Sequence, residues 1–214
     1  MLITFEGPDG SGKTTQARRI AEWLASLGHE VLVIREPGGT EIGDRVRAIL
    51  MDRANTHLDP RAEMLLFCAS RAQMMAEKVR PHLARDGIVI CDRFADSTLA
   101  YQGYGRGLDL GILRILLDFA TFGIKPDLTL CLDVDPRTGL ERRASDRGGM
   151  NRLDAEPLAF HERVRAGYLA LAAEEPQRWV VIDAGAPPDV VERRLQDTIS
   201  ARLGAYGAAP GKAG

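Results

Sequence analysis

The 214-residue sequence predicts an α/β fold, a five-stranded parallel sheet with helices on both faces. Two patterns carry that prediction. Five short runs rich in Val, Ile and Leu, at residues 2–6, 30–35, 87–92, 128–133 and 179–183, are almost continuously apolar rather than alternating. Strands covered on both faces read this way. The stretches between them have helical periodicity, and alternating strands and helices imply parallel pairing through right-handed crossovers. The length bounds the chain to one domain, residues 1–205, followed by a flexible tail at 206–214.

Taken in order, the first run leads into a helix whose apolar stripe is Ala17, Ile20, Ala21, Leu24 and Leu27, closed by Gly28. Helices at 41–52 and 61–85 fit between the second and third strands. More helix is expected at 97–102, 110–122, 136–145, 156–174 and 189–202. Two segments break the pattern. Glu36-Pro37-Gly38-Gly39-Thr40 continues neither strand nor helix. Residues 142–152, RRASDRGGMNR, are arginine-dense around a Gly-Gly hinge, as in a solvated loop or a lid that closes over polyphosphate.

Composition removes several classes of function. With 45% hydrophobic and 27% charged residues the chain is neither disordered nor collagen-like. A formal net charge of -2 argues against a surface that coats a nucleic-acid polymer. Cys68, Cys91 and Cys131 are an odd number without metal-ligand spacing, and read as small buried hydrophobes. No apolar run reaches the roughly 18–20 residues of a membrane span, and the opening MLITFEG lacks the basic and hydrophobic regions of a signal peptide. A cytoplasmic, reduced protein with no membrane partner is expected.

The strongest chemical signal is Gly7-Pro8-Asp9-Gly10-Ser11-Gly12-Lys13-Thr14, which fits G-x-x-x-x-G-K-[ST] between a buried strand and an amphipathic helix. Such a loop turns successive N–H groups toward phosphate oxygens at the positive end of a helix. All eight residues are therefore expected to cradle ATP, with Lys13 on the β- and γ-phosphates and the Thr14 hydroxyl on Mg²⁺. The dinucleotide fingerprint does not fit these glycines. A guanine reader is missing too: Asn151-Arg152-Leu153-Asp154 lacks the lysine of N-K-x-D.

Other candidates follow from position. The third strand ends in Asp92-Arg93, and ligands bind beyond the carboxyl ends of parallel strands. Arg93 suits a second phosphate, while Asp92 would order Mg²⁺ or tether Arg93; an ordinary strand-end salt bridge is the alternative. Arg35 ends the second strand similarly. Phe67 and Arg71, four apart, share a helix face and suit a base and a phosphate, although a core ring beside a surface arginine has the same spacing. Thr98, Tyr101 and Gln102 form a polar cluster one turn beyond Asp92-Arg93.

Together, FEGPDGSGKTTQ, REPGGT, FCASRAQ, CDRFADSTLAYQG and PDLTLCLDVDP resemble the bacterial thymidylate kinases in order and spacing over about residues 1–183. The resemblance implies a P-loop fold of the nucleoside-monophosphate-kinase type, a homodimer, and phosphorylation of dTMP by ATP with Mg²⁺. It implies Asp9 at the sugar 3′-hydroxyl, Arg93 at the acceptor phosphate with Asp92 near Mg²⁺, Phe67 stacked on thymine, and Arg71 reaching base and phosphate. Arg35, Thr98, Tyr101 and Gln102 would complete the dTMP pocket. Some members carry a catalytic arginine just after the acidic loop residue; here that position is Gly10, so the lid would supply it, first as Arg147, with Arg142 and Arg143 as alternatives. Phe94 departs from the usual Tyr or His after D-R. Another deoxynucleoside-monophosphate kinase, or a P-loop ATPase or switch, are the competing readings.

Overall fold

A computed structural model describes residues 1–145 and 149–207. Five strands, β1 (Leu2–Glu6), β2 (Val31–Arg35), β3 (Ile88–Asp92), β4 (Leu128–Asp133) and β5 (Trp179–Asp183), form one sheet in the order β2-β3-β1-β4-β5. Every pairing is parallel. Side chains alternate between faces along each strand. Ile3, Phe5, Ile88, Ile90, Leu128 and Leu130 face one side, packed on Ala17, Ile20 and Leu24 of α1 (Lys13–Ser26) and Val191, Leu195 and Ile199 of α9 (Pro188–Gly207). Leu2, Val89 and Cys91 face the other, against Met74, Met75 and Val79. Apolar layers on both sides explain the nearly continuous strand hydrophobicity.

The remaining helices are α2 (Glu41–Met51), α3 (Pro60–Met74), α4 (Arg80–Leu83), α5 (Ala95–Thr98), α6 (Leu110–Thr121), α7 (Pro136–Ala144) and α8 (Leu158–Glu174). Side-chain caps start α2, α3, α6 and α7: Thr40, Asp59, Asp109 and Asp135 each accept a first-turn N–H. Helix α1 has no such cap; Gly12 precedes it with φ 89°. Its first N–H groups therefore remain available to a ligand.

Three helices differ from expectation. The single helix expected at 61–85 is α3, a π-helical turn at Met75–Val79, and α4. Pro81 lacks an N–H and would clash with the carbonyl four residues earlier, so the ladder re-registers just before it. The helix expected at 97–102 begins as α5 and continues through a π-helical turn at Leu99–Gly105. Gly103 and Gly105 look like stops in sequence but serve close packing: a Cβ at Gly105 would fall 2.6 Å from the Phe160 ring. Helix α9 outruns its expected end, taking in Tyr206 and Gly207, which were assigned to the tail; residues 208–214 lie outside the described residues. Leu27, expected on the buried stripe of α1, is exposed at its C-terminal cap.

Helix α1, leaving β1, covers one face, while the connection leaving β3 runs through α5 and α6 on the other. The loops therefore part at the carboxyl ends of the central strands, where a crevice opens.

Candidate active site

The loop from Gly7 to Gly12 joins β1 to α1. Two of its glycines are needed for close approach as well as conformation. A Cβ on Gly7 would lie 2.3 Å from the Leu132 carbonyl oxygen, and one on Gly10 would lie 1.9 Å from that of Gly139 in α7. Both also have positive φ, 130° and 71°. Lys13 is buried and donates from Nζ to the Pro8 carbonyl at 2.6 Å and to Ser11 Oγ at 3.1 Å. Burial, reinforced by Arg93, pushes the Lys13 pKa down to about 8 against the pull of Asp9, Asp92 and Glu6. Thr14 Oγ1 donates to Asp92 Oδ2 at 2.5 Å.

Arg93 follows β3 with φ 71°, a conformation uncommon for a side-chain-bearing residue. From there Nη1 donates to the Gly7 carbonyl at 3.1 Å, Ser97 Oγ at 3.3 Å and Tyr168 OH at 2.9 Å. Nη2 reaches Asp9 Oδ1 at 2.6 Å and Tyr101 OH at 3.1 Å, and Tyr101 donates to Asp9 Oδ2 at 2.6 Å. Burial raises the Asp9 pKa, but Arg93, Lys13 and the Tyr101 bond outweigh it and hold the carboxyl below its usual range. Between the two roles read for Asp92, the geometry is clear about the tether: Arg93 is held by Asp9, and Asp92 pairs with Thr14.

Arg71, 1% exposed, anchors the opposite wall. Its Nε and Nη2 close on the Glu36 carboxylate, Nη1 donates to Thr98 Oγ1 at 3.0 Å, and Nη2 also reaches the Phe94 carbonyl at 3.0 Å. Burial pushes the Glu36 carboxyl up despite Arg71. Gln102 is held from below, donating to Glu63 Oε1 at 2.8 Å, and Arg106 closes on the same carboxylate.

Most of these groups border one cavity of about 610 Å³; Glu63, Phe94, Arg106 and Tyr168 support it from outside. Asp9, Gly10, Gly12, Lys13 and Thr14 form one end, Asp92 and Arg93 the middle, and Arg35, Phe67, Arg71, Thr98, Tyr101 and Gln102 the rest. Gly7, Pro8 and Ser11 shape the loop without bordering the cavity. Arg142 and Arg143 line its rim. Arg147 lies outside the described residues.

The thymidylate kinase family model matches residues 5–195. The chain is 52% identical over 199 residues to a thymidylate kinase of Thermomicrobium roseum, covering 93% of this chain and 94% of that one. It is 50% identical over 202 residues to one from Deinococcus radiodurans, covering 94% and 97%. A crystal structure of thymidylate kinase from Ehrlichia chaffeensis superposes with a TM-score of 0.77 at 35% identity, covering 93% of this chain and 98% of that chain. This chain belongs to the thymidylate kinase family. The parallel sheet and the phosphotransferase class expected from sequence agree with that membership.

Several cavity residues were given no role in the sequence reading. Glu36 and Pro37 sit inside the quoted REPGGT, so a signal was present. Ser97 lies four residues after Arg93, within reach of a one-turn search. Arg47 has no local signal: it stands in an ordinary amphipathic helix, and only tertiary packing sets its Nη1 on the Pro37 carbonyl at 3.0 Å. Burial, with Arg35 nearby, pushes the Arg47 pKa down. Asn151 lies within the arginine-dense segment and Leu153 just past it.

The Glu36–Arg71 pair yields a stability test. Removing one partner of a buried ion pair strands the other charge, which costs about 3–5 kcal/mol. Glu36→Ala is expected to lose that much in urea unfolding; a loss under about 1 kcal/mol would mean that Arg71 finds other compensation.

Proposed function

We propose that this chain transfers the γ-phosphoryl group of ATP to dTMP, giving dTDP and ADP on the way to dTTP. The observation that carries this reading is Arg93, held midway along one cavity between a phosphate-binding loop and the Phe67–Arg71 wall. The loop amides and Lys13 would bind the triphosphate. Lys13 and Arg93 disfavour one another's charge, a strain that bound phosphates would relieve. Arg93 would hold the acceptor phosphate and Asp9 the sugar 3′-hydroxyl. Phe67 would stack on thymine, with Arg71 reaching base and phosphate and Arg35, Thr98, Tyr101 and Gln102 completing the pocket.

The acceptor phosphate is already a competent nucleophile, so no side chain need act as general base. Catalysis is alignment and charge stabilisation. A further arginine would come from a lid at 142–152, Arg147 first, with Arg142 and Arg143 as alternatives. Gly10 supports that division of labour, since any side chain there would meet the α7 backbone.

Mg²⁺ fits the donors at the loop mouth. Thr14 Oγ1 and Asp92 Oδ2 are hard oxygen ligands within 2.5 Å of each other, and Mg²⁺ favours one or two such protein ligands alongside substrate phosphates. Bound there, the ion would offset negative charge on the phosphates.

A homodimer is part of the proposal. Ile112, Ile115 and Phe119 line one face of α6, Phe119 at 83% exposure, with Phe122 and Leu65 exposed as well. An exposed apolar face of this kind marks an interaction surface. No helix among the described residues is long and apolar enough to cross a membrane, and Cys68, Cys91 and Cys131 are free and buried, which supports a cytoplasmic setting.

An acceptor panel at fixed Mg-ATP, read by coupled ADP detection, tests the reaction. Turnover is expected with dTMP and much less with dCMP, dGMP or AMP; dUMP should retain some, since one methyl is worth roughly 1–3 kcal/mol. Equal turnover with another monophosphate, or ADP release without any acceptor, would replace dTMP as substrate. Lys13→Ala should lower kcat by orders of magnitude with the unfolding midpoint retained, and near-normal kcat would remove Lys13 from the mechanism. Phe119→Glu should convert a dimer to a monomer by light scattering; an unchanged mass would put the interface elsewhere.

A further inference from the structure

Glu6 ends β1 with 0% exposure and has no part in the reaction described above. Its carboxylate accepts from the Phe94 N–H at 2.8 Å, Ser97 Oγ at 2.5 Å and Tyr168 OH at 3.1 Å. Two of these three donors also serve Arg93, which donates from Nη1 to the oxygens of both hydroxyls. Ser97 and Tyr168 are themselves 2.7 Å apart. The hydroxyls thus stand as a layer between a carboxylate and a guanidinium.

Counting protons shows what this layer requires. When Glu6 is ionised it only accepts, so the hydroxyl hydrogens run toward it: one hydroxyl donates to the carboxylate, the other donates to that hydroxyl across the 2.7 Å contact, and both keep a lone pair for Arg93. A neutral Glu6 carries an O–H of its own. The Phe94 N–H cannot accept it, so a hydroxyl oxygen must, which reverses the run of hydrogens and leaves no anion behind the two hydroxyls that face Arg93. The electrostatic pull on the Arg93 guanidinium therefore varies with the charge of a residue to which it makes no hydrogen bond.

We propose that Glu6 is a positioning residue for Arg93, acting through Ser97 and Tyr168, and that its ionised form holds the guanidinium ready for the acceptor phosphate. The inference rests on the dTMP reading above. The groups facing Glu6 are Arg93 and Cys91 at the end of β3, Asp96 on α5, Lys13 on α1, Arg71 on α3, Cys131 on β4 and Tyr168 on α8. Asp96 is itself paired with Arg178 at 2.7 Å. Burial, then Asp96, raises the Glu6 pKa from 4.5 to about 7 against Ser97, Arg93 and the Phe94 N–H, so its charge changes near neutral pH.

Glu6→Gln keeps the shape and imitates the neutral acid. The variant is expected to fold: a carboxyl whose folded pKa is raised binds its proton more tightly when folded, so wild-type stability falls as pH rises from about 4.5 to 7. Against that fall, the variant gains relative stability. The measurement is kcat/KM for dTMP at saturating ATP between pH 5.5 and 8.5. The second ionisation of the substrate phosphate, near pH 6, affects both proteins equally and cancels in their ratio. The wild-type to variant ratio should be near one at pH 5.5 and rise, with a midpoint near 7, to roughly fivefold, the scale of one hydrogen bond. Ser97→Ala also removes an acceptor of Arg93, so its ratio should lie above one throughout and rise further with the same midpoint, and adding Glu6→Gln should abolish that rise; this variant carries the test should Glu6→Gln not fold. A ratio constant across the range would overturn the proposal alone. Wild-type protein without dTMP-dependent ADP formation at any pH would overturn the substrate reading instead.

Discussion

The structure turns on holding one guanidinium in place. Arg93 joins the phosphate loop, through the Gly7 carbonyl and Asp9, to the π-helical turn through Tyr101 and to α8 through Tyr168. A charge taken out of water is tolerated only when paired and hydrogen-bonded. Asp9 supplies the pair, and a carbonyl and three hydroxyls supply the bonds. Nearby, the Glu36 carboxylate answers Arg71, and the Asp92 carboxylate accepts from the Thr14 hydroxyl but keeps its charge. For Lys13, Arg35 and Arg47 the cavity then offers one further carboxylate, Asp92, so positive charge is in surplus. That surplus is what a site for phosphate groups requires.

Backbone contact sets the second constraint. The phosphate loop and α7 meet at Gly10 and Gly139, where either Cβ would fall within 2.2 Å of the opposing backbone. Arg142 and Arg143 follow Gly139 by three and four residues on the same helix. The face of α7 that rests on the loop is thus continued by the two arginines at the cavity rim. Gly10 costs the loop a side chain, and the close approach it permits brings arginines in from the other side.

How much could be read in advance depended on the range of the interaction concerned. Strand runs and the Gly7–Thr14 loop are patterns within a few consecutive residues, and their boundaries in the structure differ from the sequence reading by a residue at most. Helix ends fared worse where a residue had two meanings. Gly105 signals a stop by propensity, yet here it accommodates the Phe160 ring. Among cavity residues, those within a turn of a strand end or a glycine loop stood out; Arg47 did not, because nothing near it in the chain distinguishes it from any surface arginine.

The amino-acid sequence alone determined the element types, their order and the phosphate loop, because hydrophobic period and glycine spacing act locally. Tertiary structure alone decided which strands adjoin, that Asp9 rather than Asp92 tethers Arg93, and that Glu6 lies behind the hydroxyls of Ser97 and Tyr168. Those contacts join residues 84 and 162 positions apart. Their energies come from burial and charge pairing between segments that meet only once the sheet has assembled, and no local window of the chain encodes that meeting.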